Sequence, residues 1–477
     1  MINRRKFIAQ TGVVSAAILT VPSFVNAAKS KLEFVSNRPP LGKRKFTSKA
    51  IEAVILTTKS KIKDPELAWM FENCFPNTLD TTVEFEVKNG LPDTFVITGD
   101  IHAMWLRDST AQVWPYLPYI KDDKELYQLI LGVIHRQGKC ISIDPYANAF
   151  NKEATGSEWE TDMTDMKPEL HERKWEIDSL CYPVRMAYHF WKNTNDASFF
   201  TAAYEKTMQL ILTTFEEQQR KNNKGPYRFA RKTEKATDTL NAGGFGNPIK
   251  PVGLICSSFR PSDDATIYAF LIPSNYFAVV SLRQMAEMFL KIRNNKTLAN
   301  RCESLANEVE KALQKYASAN HLNFGQMLAF EVDGFGNQLF MDDTNVPSLL
   351  ALPYLGCISE SDSLYLNTRR FIFSESNPWY FKGKAGAGLA SPHVGEEMIW
   401  PLSIILQAMT SKDKDEIRTC LQILKKTHAG TGFIHETFHV DDASKYTRSW
   451  FAWANTIFGE LMLKVAKENP SILSDVL

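Results

Sequence analysis

Residues 298–316 read LANRCESLANEVEKALQKY, and their apolar members decide the fold class. Leu298, Cys302, Leu305, Val309, Leu313 and Tyr316 step by 4, 3, 4, 4 and 3, which lines one face of a helix. Working outward, Ile177, Leu180, Val184, Tyr188 and Trp191 step by 3, 4, 4 and 3. Similar patterns predict helices near 63–74, 103–118, 123–137, 198–218, 274–292, 344–354, 361–371, 395–409, 413–427 and 446–467. That makes about twelve helices. Strand signals are weak and local, at Thr82–Val87 and Thr94–Thr98. A helical solenoid would repeat in sequence, and no repeat is visible. The chain is therefore expected to be all-α, a helical toroid around a central funnel with minor β-hairpins in its loops.

The chain has 477 residues, 55 Lys plus Arg against 54 Asp plus Glu. Near-neutrality argues against a nucleic-acid partner, which calls for a strong basic excess. Residues 1–27 read as an export signal peptide. Arg4, Arg5 and Lys6 form its charged start, Thr11 to Val25 its apolar stretch, and Val25-Asn26-Ala27 its cleavage site. The run Asn3–Ile8 partly matches the twin-arginine pattern, so a periplasmic destination is expected, with the export route open. Without these residues the balance is 52 cationic against 54 acidic side chains, or −2. No later segment is apolar over the roughly 18 residues that suggest a membrane span, so no membrane association is expected after cleavage. Residues 28–60, basic and containing Pro39 and Pro40, read as an N-terminal arm, and 61–477 as a single domain. The seven Cys are scattered without a CxxC, so a disulfide framework or zinc ribbon is not indicated, and most should be buried thiols.

Chemistry concentrates where helices begin. Gly99–Ser109 (GDIHAMWLRDS), Asp144–Asn148, Trp175–Ser179, Arg260–Asp264, Asp342–Asn345, Ser391–Glu397 and Gly432–Thr437 each carry carboxylate side chains, accompanied in all but Asp342–Asn345 by Trp, Tyr, Arg or His. A single Asp before a helix is ordinarily an N-cap. Seven recurrences of this grammar instead suit a sugar site, in which aromatic faces stack on the ring and charged groups bond hydroxyls. The non-periodic stretch Lys221 to Pro261 is long enough to be functional. His435-Glu436-Thr437-Phe438-His439 fits the HExxH zinc-peptidase pattern, but Gly430, Gly432, Asp441 and Asp442 leave little room for the required helix.

Together, Gly99–Ser109, Trp175–Arg185, Ser257–Ile272, Gly386–Trp400 and Gly430–Trp453 resemble glycoside hydrolase family 125, the bacterial exo-α-1,6-mannosidases. The resemblance runs from about residue 50 to the C-terminus. It implies an (α/α)6 barrel, in keeping with the helix count, and an inverting hydrolase that releases terminal α-1,6-linked mannose without a cofactor or metal. In such a mechanism one carboxylic acid protonates the leaving oxygen and a carboxylate activates water on the opposite ring face. The family's general base falls on Glu436, the one carboxylate of its segment. The general acid falls on Asp263 or Asp264, with Asp263 favoured by its spacing to Glu436. A like-charged neighbour is expected to raise the acid's pKa. Trp105, Arg107, Asp108, Asp178, Arg260 and His393 are candidates for the terminal-sugar pocket. Tyr146, Asn148, Trp379, Asn345 and Trp450 are candidates for its rim. The implied partner is a mannose-containing oligosaccharide. Two competing readings are a non-catalytic periplasmic glycan-binding protein and a zinc peptidase using His435, Glu436 and His439.

Overall fold

The structure, a computed structural model, describes residues 34–477, so the proposed export signal lies outside the described residues. The helices are α1 (Lys49–Lys59), α2 (Pro65–Cys74), α3 (Asn77–Thr81), α4 (Leu106–Val113), α5 (Lys124–Ile143), α6 (Ile177–Thr194) and α7 (Ala202–Gln218). They continue with α8 (Ile272–Arg293), α9 (Lys296–Tyr316), α10 (Ser363–Ile372), α11 (Pro401–Met409), α12 (Lys414–Thr427), α13 (Ala452–Glu468) and α14 (Pro470–Leu473). The stretch that decides the fold class is α9. It starts on Asn295, whose side chain accepts from Leu298 N–H, and it buries Leu298, Cys302, Leu305, Val309 and Leu313 against α8. Each fully buried aliphatic side chain contributes about 1.5–3 kcal/mol of transfer free energy.

The helices form two concentric rings. In the inner ring α4 packs on α6, α6 on α8, α11 on α13, and α13 back on α4. Outside them lie α5, α7, α9, α10, α12 and α2. This is the (α/α)6 barrel. Burial follows from it: α6 and α13 are apolar or small around most of their circumference, whereas α9 and α12 bury one stripe.

The sixth inner position differs from the sequence expectation. Residues 344–354 do not form a helix but bends that lead into turns from residue 350. Pro347 and Pro353 lack donors, and the buried Asp342 carboxylate accepts from Leu349 and Leu350 N–H at 2.8 and 2.9 Å. Hydroxyls stitch the segment into the ring. Tyr182 of α6 donates to Val346 O, Tyr365 of α10 to Leu350 O, and Tyr354 to Glu460 of α13. Boundaries elsewhere move for similar reasons. The predicted 103–118 helix gives way to a 3-10 turn over Trp114–Tyr119, where Pro115 and Pro118 occur. The predicted 395–409 and 446–467 helices start at Pro401 and Ala452. Within the stretch read as an arm, residues 49–59 form α1 on α2.

The strands are short. β1 (Val83–Lys88) and β2 (Leu91–Val96) make an antiparallel hairpin where alternation predicted strands. β3 (Met104–Trp105), β4 (Ala149–Phe150) and β5 (Leu170–Glu172) pair in that order and tie three loops together at one end of the barrel. Among the described residues no helix is long and apolar enough to cross a membrane. Six of the seven Cys are buried and none is bridged.

Candidate active site

Residues from the starts of inner helices line one cavity of about 300 Å³. Arg107 and Asp108 come from the first turn of α4, Trp400 from the residue before α11, and Phe451 and Trp453 from the start of α13. Ser262 and Asp263 come from the loop leading to α8, and Glu436 from the loop ahead of a short strand at Thr437–His439. Trp105, Trp159, Trp400 and Trp453 supply aromatic walls. A larger cavity of about 1200 Å³ lies among the C-terminal halves of α6 and α13. Its lining is mixed apolar and basic, and its two carboxylates are engaged, Glu460 by the Tyr354 hydroxyl and Glu468 by Lys464. It therefore lacks the convergent carboxylates of the first.

Asp263 stands at the tip of a tight turn. Arg260 N–H donates to Asp264 O at 2.8 Å, Asp263 N–H donates to Arg260 O at 2.9 Å, and Asp263 takes φ 66°. A left-handed non-glycine residue costs about 1–2 kcal/mol, and such strain gathers at functional sites. The Asp263 side chain keeps 24% of its exposure while Asp264 keeps 1%. Asp263 Oδ1 accepts from Asn148 Nδ2 at 3.1 Å and lies 3.6 Å from Arg107 Nη2. Asp264 turns away, 3.6 Å from His393 Nδ1 and 3.5 Å from Lys235 Nζ. Of the two adjacent acids, Asp263 lines the cavity.

The expected lift of Asp263 by its acidic neighbour does not govern its charge. Burial pushes its pKa up, but Arg107, Lys174, a hydrogen bond with Glu176 and His393 together bring it down to about 2. Glu176, fully buried, moves the other way. Burial and the charges of Asp263 and Asp178 hold it far above the usual carboxylate range despite Arg107. Asp178 is pushed up to about 6, chiefly by burial. Arg107 serves all of them, at 2.6 Å from Glu176, 3.2 Å from Asp178 and 3.5 Å from Asp108.

Glu436 Oε1 lies 3.3 Å from Arg448 Nη1, and Arg448 Nε also donates to Asp100 at 3.0 Å. Behind it the His435 ring stacks on Tyr446, centroids 3.8 Å apart, and Nδ1 lies 2.8 Å from Ser449 O. The HExxH run enters a strand, not a helix, and His439 sits beside Glu397. Among the described residues no cluster of three or more His, Cys, Asp or Glu could hold a metal.

The sequence candidates divide into three groups. Trp105, Arg107, Asp108, Asp263, His393, Asn345 and Glu436 meet at the cavity. Asp178, Asp264, Asn148 and Tyr146 stand behind its wall. Asn148 bridges Asp263 and Glu172, and Tyr146 donates to Glu217 while stacking on Tyr227. Trp379 and Trp450 do not line it, and the Trp450 ring lies over Gly99, where a Cβ would come within 3.2 Å. Arg260 is likewise away from the cavity. Its Nε donates to Glu331 at 2.6 Å, and Glu331 receives Ile267 and Tyr268 N–H, so the pair braces the Asp263 turn. Arg260→Ala is expected to cost about 3–5 kcal/mol, the penalty for an unpaired buried charge. Chemical denaturation should show that loss, with substrate KM little changed in the fraction that stays folded.

Sequence reasoning missed Glu158, Trp159, Glu172, Lys174, Arg231, Lys235, Asp238 and Arg448 as lining residues. Arg231, Lys235 and Asp238 lie in the non-periodic 221–261 stretch, whose length was the available signal. Arg231 stands 3.7 Å over Trp159 and pairs with Asp162, Glu172 and Asp238, welding that stretch to the 150–175 loop.

The sequence profile of the family described as "Metal-independent alpha-mannosidase (GH125)" matches residues 64–463. The chain belongs to that family. This GH125 protein is thus a glycoside hydrolase of the α-mannosidase type. It is 40% identical over 465 residues to the meiotically up-regulated gene 157 protein of Schizosaccharomyces pombe, covering 94% of this chain and 91% of that one. It matches a metal-independent α-mannosidase from Streptococcus pneumoniae, solved as a non-productive complex with α-1,6-mannobiose. That match has a TM-score of 0.85 and 42% identity over 89% of this chain and 100% of the other. A bacterial glucoamylase solved with acarbose, 12% identical with a TM-score of 0.53 over 90% of this chain and 58% of that one, shares the fold.

Proposed function

We propose that this GH125 α-mannosidase is an exo-acting, inverting enzyme that removes terminal α-1,6-linked mannose from glycans. The observation that carries the reading is that Asp263 and Glu436, from two different loops, face one Trp-walled cavity. Asp263, as general acid, donates its proton to the glycosidic oxygen as the C1–O bond breaks. Glu436, as general base, takes a proton from the water that forms the new C1–O bond on the opposite face. Trp105, Trp400 and Trp453 are suited to the faces of the terminal sugar, and Arg107, Asp108 and His393 to its hydroxyls. The α-1,6 preference draws on the relative crystallised with α-1,6-mannobiose. The partly twin-arginine-like run at Asn3–Ile8 supports export to the periplasm as the place of action.

The test is a linkage panel. Purified protein incubated with α-1,6-, α-1,2- and α-1,3-mannobiose is expected to release mannose from the 1,6 isomer. Hydrolysis confined to another isomer would overturn the linkage, and binding without hydrolysis of any would favour a glycan-binding protein.

A further inference from the structure

The proposed acid poses a problem of proton supply. General-acid catalysis needs a proton on Asp263 near neutral pH. Yet Asp263 faces Arg107 at 3.6 Å, with Lys174 and His393 also acting on it, and these cations favour the ionised form. The answer lies one residue before α6.

Glu176 has no exposure, and its Oε2 accepts from Arg107 Nη1 at 2.6 Å and from Ser179 Oγ at 2.8 Å. Its Oε1 is buried with no N–H or O–H to receive. Glu176 and Asp263 flank the same guanidinium, with Arg107 Nη1 2.6 Å from Glu176 and Nη2 3.6 Å from Asp263, and a hydrogen bond between the two carboxyls acts on the charge of each. Two carboxyls can make a hydrogen bond only when one of them carries a proton. Charge points the same way. Arg107 stands against four carboxyls, those of Glu176, Asp178, Asp108 and Asp263. The remaining charged groups nearby are largely committed elsewhere: Lys174 to Glu172 and Asp238, and His393 to Asp264. Several ionised carboxylates around one buried guanidinium would be expensive, and one retained proton relieves the excess.

We propose that Glu176 is a positioning residue that stores the acid's proton, sharing it with Asp263 and passing it forward when the glycosidic oxygen arrives. The inference rests on Asp263 being the general acid. As the C1–O bond breaks, its electron pair stays on the leaving oxygen, which takes the one shared proton, passed from Glu176 to Asp263 and on to that oxygen, and both carboxyls are left ionised beside Arg107. Water loses a proton to Glu436 as its oxygen bonds C1. Solvent then carries a proton from Glu436 back to the pair. The return path enters through Asp263, the partly exposed member.

Glu176→Gln is the test. The amide keeps an acceptor for Arg107 and Ser179 but holds no transferable proton. With α-1,6-mannobiose, whose leaving group needs protonation, kcat should fall about 10²-fold or more. With 2,4-dinitrophenyl α-mannoside, whose leaving group departs unprotonated, kcat should stay within about threefold of the parent. The alkaline limb of the remaining mannobiose activity should move to lower pH, because Asp263 loses its proton more readily without the Glu176 reserve. Glu176→Asp, which restores a carboxyl, should regain part of the mannobiose rate. Equal loss on both substrates, or no loss on either, would overturn the proposal. Asp263→Asn run in parallel keeps the two failures apart. If Asp263→Asn is selectively impaired on mannobiose while Glu176→Gln is not, the role of Glu176 alone falls. If Asp263→Asn turns over mannobiose normally, the acid assignment falls and the proposal with it.

Discussion

Glu436→Gln is expected to lower kcat on α-1,6-mannobiose by about 10²–10⁴-fold while leaving mannobiose binding nearly intact. The substitution keeps the size of the side chain and an oxygen for Arg448, which retains its second partner Asp100. The Trp walls and Arg107 are untouched, so contacts to the sugar persist. What disappears is the acceptor for the proton of the attacking water. Calorimetric titration of mannobiose into the variant should give a Kd close to the KM of the parent, alongside a collapsed turnover. Normal turnover would remove Glu436 from the base role. Lost binding would make it a sugar ligand instead.

Asp263→Asn should produce the second large effect, with a different signature. Proton donation matters in proportion to the basicity of the leaving group, so loss on mannobiose should again reach about 10²–10⁴-fold. An activated aryl mannoside should be spared. The amide that replaces the carboxyl can still face Asn148 and Arg107, so the turn is expected to hold its shape, and an unchanged Tm would check that. Asp264→Asn separates the adjacent acids. Its carboxylate serves His393 and Lys235 and not the cavity, so its loss should move both substrates together.

Much of the barrel was legible because helix periodicity and ring position are linked. The one-sided stripe Leu298–Leu313 predicted a helix that proves to lie in the outer ring, and Ile177–Trp191 one that proves to lie in the inner ring. Residues 344–354 misled because their apolar spacing is real but serves bends and turns. The buried Asp342 that replaces the missing helix hydrogen bonds acts from outside that window. At the site, Arg107, Asp108, Asp263 and Glu436 were legible as members of charged, aromatic motifs. Arg260 belonged to such a motif too, yet its partner Glu331 lies 71 residues away, and only the fold reveals that the pair is a brace. Glu176 was quoted within its motif but passed over for Asp178, and both prove to pair with the same guanidinium. The lift anticipated for Asp263 from Asp264 failed for an equally spatial reason. Adjacent side chains diverge at a turn, and distant Arg107 and Lys174 set the local field.

The most direct test of the account is the stereochemistry of the first product. ¹H NMR of α-1,6-mannobiose hydrolysis, recorded before mutarotation, follows the anomeric proton of the released mannose. A water activated by Glu436 opposite the departing oxygen predicts β-mannose first, with the α signal growing later by mutarotation. α-Mannose appearing first would mean retention, and would contradict the assignment of Asp263 and Glu436 as an acid and base acting from opposite faces of the sugar.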